Sequence, residues 1–354
     1  MLVSKRKQGW LGLLVGLMVL PGMALAADDK PDDAAVLFVS NQEGAQSIYS
    51  ASLNDGAIVR LTDPAHSDMD PRWSPDRQRI AFVSRRDGNG DIYLMDADGS
   101  NQQRLTHSER MDFMPQWHPS GDYLAFTSSR VSPRGVFLLD LATGEARLLS
   151  EAVRSPEALR WSPDGGQLAV IARPGGEGGN AIMVIDLEDD GHSILVPNDR
   201  HAGNVQSLAW HPSGDYLAYT ASTDNRREVQ LYVLHVQEGH SEQVASAPGN
   251  VRGFPVWSTD GDWLVYASTA TPAPEETKTN IYASRFPDDG RPVTVATLDG
   301  QLAQPVWLPN DGGEVVFVSQ KGGAAELFRG RVDGAEPSLV FAQPAYMHSP
   351  RTGQ

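Results

Sequence analysis

Apolar runs of four or five residues recur along the chain, each closed off by turn residues. Ile80-Ala81-Phe82-Val83 is one of them. A short continuous run bounded by turns predicts a strand buried on both faces. Before it stands Asp70-Pro71-Arg72-Trp73-Ser74-Pro75-Asp76. After it come Asp91-Ile92-Tyr93-Leu94-Met95-Asp96 and Arg104-Leu105-Thr106. Ser74-Pro75-Asp76 suits a type I turn, because Pro presets φ and Asp can bond the backbone beyond it. Asp87-Gly88-Asn89-Gly90-Asp91 and Asp96-Ala97-Asp98-Gly99 read as hairpin connections. The unit is a four-stranded antiparallel sheet.

That unit repeats. The Trp of its first strand returns at Trp117, Trp161, Trp210, Trp257 and Trp307, each followed by a turn such as His118-Pro119-Ser120-Gly121 or Ser162-Pro163-Asp164-Gly165. The apolar second strand returns at Leu124–Ser128, Leu168–Val170, Leu217–Thr220, Leu264–Ala267 and Val315–Val318. A fixed period of about 40–50 residues with four strands per unit predicts a β-propeller. Each Trp has Pro or Leu two places earlier (Pro71, Pro115, Leu159, Leu208, Pro255, Pro305), on the same strand face. The six Trp are therefore expected to pack against the neighbouring blade as core, and Trp161→Ala is expected to cost about 3–5 kcal/mol.

The first repeat starts in its middle. Val36–Ser40, Ser47–Ser50 and Val59–Thr62 match the second, third and fourth strands, with no Trp strand before them. The last residues, Met347 to Gln354, align with Arg160 to Gln167, His348 replacing Trp. The expected fold is all-β: a seven-bladed β-propeller of four-stranded antiparallel blades, the first blade closed by the C-terminal strand. Such closure removes two exposed sheet edges. The blades are expected at 35–62 with 346–354, 63–106, 107–150, 151–197, 198–246, 247–297 and 298–343.

Trp-Ser-Pro-Asp-Gly, Ile-Ala-Phe-x-Ser, Asp-Ile-Tyr-x-x-Asp and Arg-Leu-Thr together resemble the TolB-like WD-type propeller repeat of bacterial periplasmic proteins. The resemblance runs over nearly the whole chain. It implies a periplasmic, non-enzymatic scaffold that binds an envelope protein or peptide. TolB itself carries an α/β domain ahead of six blades; here only a short arm, 27–34, precedes seven repeats, so a relative without that N-terminal domain is expected. The alternative is a propeller enzyme, a carbohydrate lyase or hydrolase, with its site at the channel mouth.

Lys5-Arg6-Lys7, the apolar run Trp10–Leu20 and Ala24-Leu25-Ala26 read as a secretory signal peptide over 1–26. The expected organisation is signal 1–26, arm 27–34 and propeller 35–354, with no membrane insertion after cleavage. The chain has no Cys, so no disulfide supports it. Its formal charge is −16, which opposes binding to nucleic acid. A monomer is expected.

Catalytic motifs are missing. There is no Gly-x-Ser-x-Gly elbow, no His-Glu-x-x-His and no phosphate loop. Asp87–Asp91 spaces oxygen side chains like the start of a calcium loop but lacks its later ligands, and reads as a turn. His66, His107 and His201 stand at unequal loop positions, so no metal and no cofactor is expected. The candidate site is geometric: the loops entering each Trp strand gather at one channel rim. They carry His66, Asp68, Asp70, Arg110, Asp112, Arg154, His201, Asn250, Arg252 and Gln304, with Gln301 beside the last. Convergent polar groups around a concavity are the default ligand site.

Overall fold

The computed structural model describes residues 35–348, except 42–43, 175–178, 189–190, 197–203, 223–227, 245–248, 270–277, 288–290, 300, 309–312, 322–323 and 344–346. The expected signal and arm lie outside the described residues, as does the tail beyond His348.

Seven four-stranded antiparallel sheets form, in the predicted order. The inner strands of blades 2 to 7 are Asp68–Trp73, Asp112–Trp117, Ala158–Trp161, Val205–Trp210, Asn250–Trp257 and Gln301–Trp307. In blade 1 the inner place is taken by Met347–His348, which pairs Val39 with His348 and Ser40 with Met347.

The apolar second strands are buried on both faces because each face meets a different neighbour. Val36 and Phe38 of blade 1 pack with Val316 and Val318 of blade 7. Leu37 and Val39, one residue along, pack with Ile80 and Phe82 of blade 2. The same alternation gives an apolar cluster at each of the other interfaces. Blade 7 thus meets blade 1 through a core cluster built from Val36, Phe38, Val316, Val318 and Leu327. Arg329 adds a bond to the Leu53 carbonyl at 2.9 Å across the same seam.

The repeat Trp residues tie successive blades together. The indole N–H of Trp117 donates to Arg72 O at 3.0 Å, Trp161 to Gln116 O at 3.4 Å, Trp210 to Arg160 O at 3.0 Å, Trp257 to Ala209 O at 3.2 Å and Trp307 to Val256 O at 3.0 Å. Each acceptor is the residue just before the preceding blade's Trp. Trp73, which faces the blade with the two-residue inner strand, is buried, and its Nε1 has no partner among the described residues.

The turns after Trp73, Trp117, Trp161, Trp210 and Trp257 come in two chemical forms. In Ser-Pro-Asp and Ser-Thr-Asp turns the Ser hydroxyl donates to the Asp: Ser74 to Asp76 at 2.5 Å, Ser162 to Asp164 at 2.6 Å and Ser258 to Asp260 at 2.5 Å. In the His-Pro-Ser turns the backbone N–H of Ser120 donates to His118 Nδ1, and that of Ser213 to His211 Nδ1, both at 3.1 Å. The ring proton therefore sits on Nε2, which donates to Gly165 O (3.0 Å) and Gly261 O (3.2 Å) of the next blade. These two glycines lie at φ near +80°, and a Cβ on either would collide with the His ring.

Asp87–Asp91 is the turn expected from its composition. Its end carboxylates face Arg104, Asp91 at 2.8 Å and Asp87 at 3.6 Å, and Tyr93 donates its hydroxyl to Asp87.

Candidate functional site

At the start of the inner strands, Asp68 and Asp112 are fully buried. Arg86 reaches Asp68 at 3.2 Å, and Arg130 reaches Asp112 at 2.6 Å. Ser128 also donates to Asp112 at 2.6 Å. Each arginine lies two residues after the second strand's last Ser and rests on aromatic rings of its own blade, Arg86 over Tyr93 and Arg130 over Phe126 and Phe137. Both carboxylates are spent on holding the hairpin of their own blade to its inner strand.

The other rim residues scatter. His66 and Arg110 are exposed and Arg154 is half-buried, as is Asn250, whose Oδ1 accepts from the Val229 N–H at 2.7 Å. His107 is exposed. His201 and the side chains of Arg252, Gln301 and Gln304 lie outside the described residues. Among the described residues no three His, Asp or Glu side chains gather as a metal site.

Asp70 lies deeper. It is 5% exposed, its Oδ1 has no partner among the described residues, and its backbone sits at φ 55°. Met114 holds the same place in the next blade at φ 57°. Non-glycine residues in this region are strained, and here the strain belongs to a bulge. Pairing slips between Met69 and Arg72, Phe113 and Gln116, Arg252 and Val256, and Ala303 and Val306. These are the four strands with Pro two places before Trp, and Pro, lacking an N–H, is confined to such breaks within a sheet. Burial pushes the Asp70 carboxyl up from its ordinary value, against the pull of Arg72 and the Met114 N–H.

Past the bulges, toward the turn end of the inner strands, the channel widens into a cavity of about 780 Å³. Five of the six repeat Trp line it: Trp73, Trp117, Trp161, Trp210 and Trp257. Pro75, Pro119, Pro163 and Pro212 stand at its mouth. Trp161 and Trp210 are only half-buried, so these rings are cavity wall as well as core. None of the described rim residues lines this space.

Two cations do. Arg72 is 4% exposed, beside Asp70, and donates to Pro71 O at 3.1 Å. Arg160, two blades on, donates to Leu159 O at 2.8 Å and lies over the Phe254 ring at 5.5 Å. Among the described residues no carboxylate is paired with Arg160. Desolvation pushes both guanidiniums down to about 10, and for Arg72 the neighbouring charge of Arg160 adds to the effect. Both still carry full charge at neutral pH. Gln116, 5% exposed, is the matching residue of the blade between them.

The sequence reading passed over Arg72, Gln116 and Arg160. The available signal was position: each stands one residue before a repeat Trp, and strand alternation puts that residue on the other face from the ring.

The sequence matches the TolB beta propeller domain over residues 16–157 and again over 91–271. The chain belongs to the TolB β-propeller family. A comparison with curated protein sequences finds no match. Among solved structures, TolB from Acinetobacter baumannii is similar at 18% identity and TM-score 0.56, over 73% of this chain and 62% of that one. The chain thus spans less than two thirds of that TolB. An oligogalacturonate lyase in complex with manganese is similar at 16% identity and TM-score 0.63, over 85% and 82%. The β-propeller domain of the Trilobed protease from Pyrococcus furiosus, described as having an open velcro topology, gives 13% identity and TM-score 0.60, over 91% and 97%. At these identities the likeness to the solved structures is one of fold, which TolB-type propellers share with enzymes.

Proposed function

We propose that this TolB-family propeller is a periplasmic, non-enzymatic binding protein that receives a peptide or a segment of an envelope protein at the ring axis. The observation that carries this reading is the cavity of about 780 Å³ walled by Trp and Pro. Its volume falls within the usual range for ligand sites, about 300–1,000 Å³, and aromatic walls with a few placed polar groups suit an extended segment. The export signal read at 1–26 supports the periplasmic placement. The rim at the other mouth, where His66 and Arg110 are exposed, is proposed as a secondary contact for the body of a partner. Closure of blade 1 by the tail is part of the same proposal, since a stable ring fixes the cavity walls.

A photo-crosslinking residue tests the reading. Placed at Pro212 in the cavity mouth, it is expected to capture a discrete adduct from envelope extract. Placed at Leu339, exposed on an outer strand, it is expected to capture none. Equal capture at both positions, or none at Pro212, contradicts the proposal.

A further inference from the structure

We propose that the cavity takes the C-terminal carboxylate of a peptide, held between the guanidiniums of Arg160 and Arg72. This rests on the reading of the protein as a binding propeller and adds the chemistry of its ligand.

The first argument is the sign of the local charge. The chain carries −16 overall, yet this cavity is lined by three arginines, Arg72, Arg77 and Arg160, and among the described residues by no acidic one except Asp164, at the turn. Asp164 is already taken by Ser162 and the Gly166 N–H. An uncompensated cation in an apolar cavity is costly unless something pairs with it. Arg160, half-buried against that cavity, has among the described residues its neighbour's carbonyl and the Phe254 face as side-chain partners. The second argument is shape: a carboxylate matches the planar fork of a guanidinium, and Arg72 already stands beside one carboxylate, Asp70.

The third argument is depth. The arginines lie one residue before each Trp, inboard of the turn prolines that frame the mouth. A chain entering there presents its end first, so a terminal carboxylate reaches them without a bend. The residues behind it then pass Trp and Pro walls, which favour apolar and aromatic side chains.

The test uses the mature propeller and a mixture of random N-acetylated pentapeptides, half with free C-termini and half isotope-marked C-terminal amides, in equilibrium dialysis read by mass spectrometry. The proposal predicts that acid forms are retained about tenfold over amides, the scale of one charge-assisted bond. Arg160→Gln is expected to lower retention of acids to the level of amides without loss of thermal stability; Arg160→Lys restores part of the preference. Equal retention of acids and amides by the unaltered protein overturns the carboxylate assignment and leaves peptide binding standing. Retention of neither overturns both. Inorganic phosphate displacing the acid peptides at concentrations where acetate does not would assign the arginines to a dianion and overturn the proposal.

Discussion

Arginine meets the inner strands of this ring at both ends, with opposite outcomes. At the start, Arg86 and Arg130 close on buried Asp68 and Asp112, and the pairs stitch a hairpin to its own blade. At the turn end, Arg160 faces a Trp-walled cavity with no carboxylate partner among the described residues. The residue type is the same; what differs is whether the fold supplies the counter-charge. Where it does, the arginine is structural. Where it does not, the charge is left for a ligand.

The largest expected effect falls on neither arginine. Trp117 is buried and donates to the previous blade, so Trp117→Ala should cost about 3–5 kcal/mol in urea unfolding. Trp161 is half-buried against the cavity, and its Ala variant should cost clearly less. The reverse ranking would mean that the cavity wall is tighter than the interface core.

Next is the start-end carboxylate. Asp112→Asn leaves Arg130 without its ion pair in a buried setting and should cost about 2–3 kcal/mol. A loss under about 0.5 kcal/mol would make Asp112 available for a ligand after all, as the sequence suggested.

Two pH effects follow, smaller and opposite in sign. Burial raises Asp70 above its ordinary 3.8, so between 3.8 and the raised value the folded chain holds a proton that the unfolded chain has lost. That contribution is full below 3.8 and is lost as pH rises through the folded value. The stability of the unaltered protein relative to Asp70→Asn should therefore decline with rising pH above 3.8; a flat difference contradicts the assignment. Burial lowers His211 below 6.5, so its contribution is present above 6.5 and is lost as pH falls through the folded value. Protonation would destroy the Nδ1 acceptor that the Ser213 N–H uses. Stability relative to His211→Gln should fall on acidification below 6.5, and a rise would exclude this tautomer.

The fold was legible because the repeat writes the same local rules six times. Trp, turn and apolar run each fix one strand, and the Ile80–Val83 run is buried on both faces because each face has its own neighbouring blade. Seven sheets and the split first blade came from that alignment. The site was less legible, for a physical reason. Asp68 and Asp112 occur in polar loop sequence, and nothing in the chain marks Arg86 and Arg130 as their partners; pairing across a hairpin is a tertiary fact. Conversely Arg72 and Arg160 sit in strand sequence beside Trp and Pro, where a charge reads as incidental. Pro71, Pro115, Pro255 and Pro305 did carry a usable signal, since Pro in an inner strand implies a bulge.

The smallest expected change is the most direct test of the contrast: urea unfolding of Arg130→Gln beside Arg160→Gln. Arg130→Gln is expected to cost about 2 kcal/mol by stranding Asp112. Arg160→Gln is expected to stay within about 0.5 kcal/mol of the unaltered protein or to gain stability, because it removes an unpaired charge from an apolar cavity. Equal losses in the two variants would mean that Arg160 is as structural as Arg130, and would contradict the account.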